Sequence, residues 1–67
     1  MNTYEITIGV FMDELTTGAV EHYKVKVNTL FEAAHLAEEI KFSAQVKGAK
    51  GEYKSMRREI VRVQRIA

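Results

Sequence analysis

The sequence predicts an α+β domain in which a three-stranded antiparallel sheet of order 2-1-3 carries one helix on one face, in the chain order ββαβ. Three observations lead there. Apolar residues alternate with polar ones over residues 4–12 and again over 20–27, the period of a half-buried strand. A capping-box signature at Thr29 and Glu32 opens a run of helical period. The closing segment, Glu59 to Ile66, holds four β-branched residues in the seven from Ile60 onward, which favours strand over helix.

In the first strand Tyr4, Ile6, Ile8, Val10 and Met12 point one way, and Glu5, Thr7, Gly9 and Phe11 the other. Gly9 leaves room for a bulge or for the close approach of another backbone. Asp13 to Gly18 reads as a hairpin loop of five or six residues. Tyr23, Val25 and Val27 then share one face of the second strand, while Val20, His22, Lys24 and Lys26 share a mostly wet one. The helix is expected to run to about Phe42 or Ala44, with Leu30, Ala33, Ala34, Ala37 and Ile40 in one arc and Leu36 on its edge. Alanines in that arc suit a helix lying close on a sheet. Residues 45–55 read as a Gly/Lys-rich loop. In the last segment Val61 and Val63 are expected inward if it is a strand. The 4-3-4 spacing of Met56, Ile60, Val63 and Ala67 is the competing, helical pattern. A strand following the helix runs parallel to the second and pairs beside the first, leaving one sheet face bare.

Sixty-seven residues make a single domain, 1–67, with a thin core. The absence of cysteine excludes disulfides, thiol catalysis and Cys-based metal centres. No apolar run approaches the roughly 20 residues that cross a bilayer, so no membrane partner is expected. The N-terminus lacks the basic and apolar regions of a signal peptide, and the cytoplasm is the expected compartment.

The net charge of +1 conceals a division. Residues 1–40 set Lys24 and Lys26 against Glu5, Asp13, Glu14, Glu21, Glu32, Glu38 and Glu39, a net of −5. Residues 41–67 set Lys41, Lys47, Lys50, Lys54, Arg57, Arg58, Arg62 and Arg65 against Glu52 and Glu59, a net of +6. Either the halves neutralise each other in the fold, or one of them marks a binding surface.

Catalysis is not expected. His22 and His35 are the only histidines, and neither has a nucleophile at a useful spacing. Glu38 and Glu39, adjacent on a helix, diverge by about 100°. No set of ligands composes a metal site, and no cofactor is implied. Two binding surfaces stand out instead. Phe31 and Phe42 lie within about 20° of each other on the helix and more than about 120° from the centre of the core arc, with His35 and Glu38 between them. Phe31, His35 and Phe42 therefore read as a contact for a protein partner. The second candidate, for nucleic acid, is Lys47, Lys50, Tyr53, Lys54, Arg57, Arg58, Arg62 and Arg65, since cations neutralise phosphates and Tyr53 can stack on a base. On a regular strand Arg58 and Arg62 share one face, and Arg57 and Arg65 the other.

Gly48-Ala49-Lys50-Gly51 resembles the G-x-x-G loop of KH-type RNA-binding domains, although Val46-Lys47 stand where that family has Ile-Gly. Two strands, then Val25-Lys26-Val27-Asn28-Thr29-Leu30-Phe31-Glu32-Ala33-Ala34-His35-Leu36-Ala37, then a strand ending Val61-Arg62-Val63, is similar to small phage-encoded ββαβ proteins of the host RNA polymerase inhibitor type. That resemblance lies in architecture. It implies a viral, stoichiometric binder of a bacterial host protein, acting in the host cytoplasm, and assigns no site residue. The function expected is thus a non-catalytic protein-binding module, homodimerisation through the bare sheet face or an edge strand included. Nucleic-acid binding through the basic segment is the alternative.

Overall fold

The alternation of the first segment gives strand β1 (Asn2–Met12), and three further elements follow: β2 (Leu15–Val27), α1 (Leu30–Ala49) and β3 (Arg57–Arg65). This computed structural model describes residues 1–12, 15–49 and 57–67, and side chains over 1–11, 19–47 and 57–67. The sheet order is β2-β1-β3, with β1 antiparallel to both neighbours. The expected α+β architecture is therefore the observed one.

Placing the most apolar strand in the middle buries it from both sides. Ile6 and Ile8 are wholly buried, and Tyr4 and Val10 nearly so. Helix α1 lies over this face, with Ala33 against Tyr4 and Val27, and Ala37 against Ile6 and Ile8. At these two positions a methyl group is all that separates helix from sheet. Leu36, Ile40, Tyr23, Val25, Ile60 and Val63 fill in around the margins.

The helix starts where the capping box places it. The Glu32 backbone N–H donates to Thr29 Oγ1 at 3.1 Å, and that hydroxyl donates to Glu32 Oε1 at 3.4 Å. It runs farther than expected, through Gln45, Val46, Lys47 and Gly48 to Ala49, so the first five residues of the expected 45–55 loop are helical. Gln, Val and Lys are tolerable helix residues, and the glycine falls only at its end. The buried arc is also rotated from the one expected. Leu36 is half-buried, whereas Leu30 and Ala34 are exposed, because the arc centres on Ala33, Ala37 and Ile40.

Strands β1 and β2 reach Met12 and Leu15, which pair, so only Asp13 and Glu14 separate them and the longer hairpin loop is corrected. Asp13, Glu14 and residues 50–56 lie outside the described residues.

The β1–β2 register shifts between Val10 and Met12, and strand β3 departs from regular geometry by one residue. Thr7 pairs with Arg62 while Ile8 pairs with Ile60, leaving Val61 as an extra, bulged residue. The bulge turns Ile60 and Val63, three apart, toward the same helix-covered face. That is why this strand carries a spacing that mimics a helix. Val61, expected inward, is 57% exposed. It lies on the open face, where a Cβ added at Gly9 would meet its Cγ2 at 3.1 Å and the Phe11 ring at 2.8 Å. The room left by Gly9 is thus taken by an aromatic ring rather than by another backbone.

This geometry predicts a sharp difference between neighbouring residues. Ile60→Ala should cost about 2 kcal/mol or more in urea unfolding, and Val61→Ala less than about 1 kcal/mol. Equal costs would contradict the bulge.

Candidate interaction surfaces

Three surfaces gather the side chains that sequence singles out. The first is the outer side of α1. Turned away from the alanine face are Phe31, 83% exposed, and Phe42, 70% exposed, with Val46 continuing the line toward the C-terminal end. His35 and Glu38 stand between the phenylalanines. His35 Nε2 is 3.5 Å from Glu39 Oε1, and Lys41 Nζ is 3.2 Å from Glu38 Oε2. Among the described residues, neither the C-terminal strand nor a fold-back of the chain covers Phe31 or Phe42. Grooves flank the stripe on both sides. One, of about 460 Å³, runs toward β3 between Phe31, Ala34, His35, Glu38, Ile60 and Val63. The other, of about 390 Å³, lies among Val27, Phe31, Glu32, His35 and Leu36. Phe31 and His35 line both, so they form the ridge between them. Phe31, His35 and Phe42 are therefore brought together on one exposed face.

The second surface is the open face of the sheet. Pairing across β1 sets Lys26 beside Thr3, Lys24 beside Glu5, and His22 beside Thr7 on the β2 side. On the β3 side Gln64 lies beside Glu5, Arg62 beside Thr7, Glu59 beside Gly9, and Arg57 beside Phe11. His22 Nδ1 is 3.3 Å from Thr7 Oγ1 and 4.0 Å from Glu5 Oε1. The Arg57 guanidinium stands 5.3 Å from the centre of the Phe11 ring. Lys24, Lys26, Arg57 and Arg62 outnumber Glu5 and Glu59 here, so this face is basic.

The third is a partly buried cluster on the helix side of the sheet. Arg58 Nε donates to Glu21 Oε1 at 3.1 Å and its Nη2 to Oε2 at 3.4 Å, a forked pair reaching across β1. Tyr23 donates its hydroxyl to the same Oε1 at 3.2 Å. Hydrogen bonding from Arg58 holds the Glu21 carboxyl below its ordinary 4.5; burial opposes this, and the Arg58 charge and Tyr23 assist. Burial, followed by the charge of Glu21, pushes the Tyr23 hydroxyl above its ordinary 10.0. Among the described residues, this is the ion pair that joins the acidic and basic halves across the fold; Lys41–Glu38 joins them along the helix. The opposite charges of the halves are mostly left on separate surfaces.

The basic segment does not converge as the sequence suggests. The Val61 bulge puts Arg57 and Arg62 together on the open face and Arg58 and Arg65 on the helix side, so the expected Arg58–Arg62 and Arg57–Arg65 pairings are exchanged. Lys47 sits in the last turn of α1. Lys50, Tyr53 and Lys54 lie outside the described residues. Gly48 and Ala49, half of the G-x-x-G element, belong to the helix. Sequence reasoning missed Lys24 and Lys26 as partners of Arg57 and Arg62. The alternation of β2 marks them as outward, and only the strand register supplies the rest.

Among the described residues, no group of three His, Asp or Glu side chains is placed to hold a metal ion, and no helix is long and apolar enough to cross a membrane. No protein-family model, no curated protein and no solved structure matches this chain.

The Arg58–Glu21 pair predicts an acid response. A carboxyl whose folded pKa is depressed adds stability above its unfolded value, and loses it as pH falls through the folded value. The stability difference between wild type and Glu21→Gln should therefore be greatest near neutral pH and shrink as the pH falls below 4.5 in urea unfolding. A difference independent of pH would contradict it.

Proposed function

We propose that this chain is a non-catalytic module that docks a protein partner through the outer side of α1. One observation carries the reading: Phe31 and Phe42, 83% and 70% exposed, stand opposite the alanine face that the fold uses. Water-exposed phenylalanines bring no stability to an isolated domain, and aromatic anchors near the middle of a patch dominate protein–protein affinity. The flanking grooves give those anchors an apolar surround, and Glu32 and Glu39 supply a polar rim. The ββαβ element order, similar to that of small phage-encoded inhibitors of host RNA polymerase, suits such a docking module.

A second reading is favoured by the open face. Four cations and an aromatic ring on a three-stranded sheet suit contact with a nucleic-acid backbone, since antiparallel strands can lie along a groove. The residues are Lys24, Lys26, Arg57, Arg62 and Phe11, a different set from the one the basic segment suggests.

Separate experiments test the two. Tagged wild-type chain should capture a protein from its native cell extract that Phe31→Ala/Phe42→Ala loses by about 30-fold or more, while Lys24→Ala/Lys26→Ala retains it. Capture unaffected by the phenylalanine pair would contradict the first reading. For the second, oligonucleotide affinity should fall with salt at a log–log slope of about −3 to −4 if all four cations meet phosphates. No binding at 50 mM salt would contradict it.

A further inference from the structure

A stripe that serves a symmetric partner must be complementary to itself. When two identical helices pack antiparallel about a two-fold axis, residue i of one meets residue j of the other, and j meets i, with i and j equally far from the axis. Phe31 and Phe42 are equidistant from the midpoint between Leu36 and Ala37. So are His35 and Glu38. A single operation thus sets phenylalanine against phenylalanine and imidazole against carboxylate, each twice. The positions 31, 35, 38 and 42 also follow the 4-3-4 spacing of a two-helix seam, so all four project toward a neighbour crossing at about 20°.

We infer that the occupant of the outer face of α1 is a second copy of this chain, paired antiparallel so that Phe31 meets Phe42 and His35 meets Glu38 across the two-fold axis. The inference rests on the docking reading above and names its partner. Other registers are poorer. A parallel pair opposes Glu38 to Glu38 and His35 to His35. An antiparallel pair centred on Phe42 opposes Glu38 to Val46. In the register centred between Leu36 and Ala37 the imidazole exchanges its contact with Glu39 for an N–H donated to the facing Glu38 carboxylate, whose other partner is Lys41 of its own helix.

The size of the contact sets its strength. Each phenylalanine buries about 150–200 Å². Four of them give about 600–800 Å² in total, and the walls of the groove toward β3 that receives the partner's Phe42 add to it, which places the contact among small, reversible interfaces below about 1,200 Å². The phenylalanines account for about 300–400 Å² per copy, under a tenth of the 4894 Å² surface of the chain. Glu32 and Glu39 lie on one flank of the seam and meet the same flank of the other copy. An interface this small, with like charges at its rim, makes a weak, reversible dimer.

Sedimentation of the full chain from about 1 to 500 µM tests this. The mass should rise from 7.6 kDa toward twice that value in wild type. Phe31→Ala/Phe42→Ala should stay at 7.6 kDa with an unchanged circular dichroism spectrum. Since the chain has no cysteine, register can be read separately. A mixture of His35→Cys and Glu38→Cys chains should oxidise mainly to the mixed disulfide, and Lys26→Cys should form none. A wild type that remains 7.6 kDa throughout overturns the inference, as does a dimer that survives the phenylalanine double variant or equal yields of mixed and like disulfides. A monomer that still captures another protein through Phe31 and Phe42 overturns the second copy alone. A monomer that captures nothing overturns the docking reading as well.

Discussion

Ala33 and Ala37 set the distance between helix and sheet, and much of the molecule follows from it. Both are wholly buried, one against Tyr4 and Val27, the other against Ile6 and Ile8. A larger side chain at either position would lift the helix and open a void over β1. With so shallow an interface, the helix can bury only small residues at its centre and Leu36 and Ile40 at its margin. Its two phenylalanines have no place in that layer. A helix that is apolar on opposite sides in a domain of two layers has one side left for something else.

Electrostatics follow the same division. One partly buried pair, Arg58 with Glu21, fastens the two edge strands to each other across β1 and takes one charge from each half of the sequence. The other charges stay where the elements carry them, acidic along the outer helix and basic across the open sheet. Arg57 resting over Phe11, with Phe11 in turn over Gly9, shows how the open face covers its central strand with long side chains in place of a second layer. These opposed surfaces suit contact with large partners more than enclosure of a small one.

Much of this was legible in the residues. Period-two alternation fixed β1 and β2 and their inward faces. Thr29 and Glu32 marked the helix start, and the connection rules gave the strand order. The exposed phenylalanines could be read from the helical wheel alone. What failed did so for identifiable reasons. The Val61 bulge adds one residue to β3, exchanging the faces of the arginines before it and producing a helix-like spacing in a strand. The helix end was placed early because Gln45, Val46 and Lys47 precede glycines and read as a loop. The basic open face depends on which strands pair, and no local pattern in either strand reports that.

The central claim is that α1 carries side chains the fold does not use. The most direct measurement is the unfolding free energy of Phe31→Ala/Phe42→Ala in urea at submicromolar concentration, where association is absent. The double variant should match wild type within about 0.5 kcal/mol, because substitutions at exposed sites rarely move stability further. A loss of about 3 kcal/mol or more for either phenylalanine, the cost of emptying a packed core position, would contradict the account.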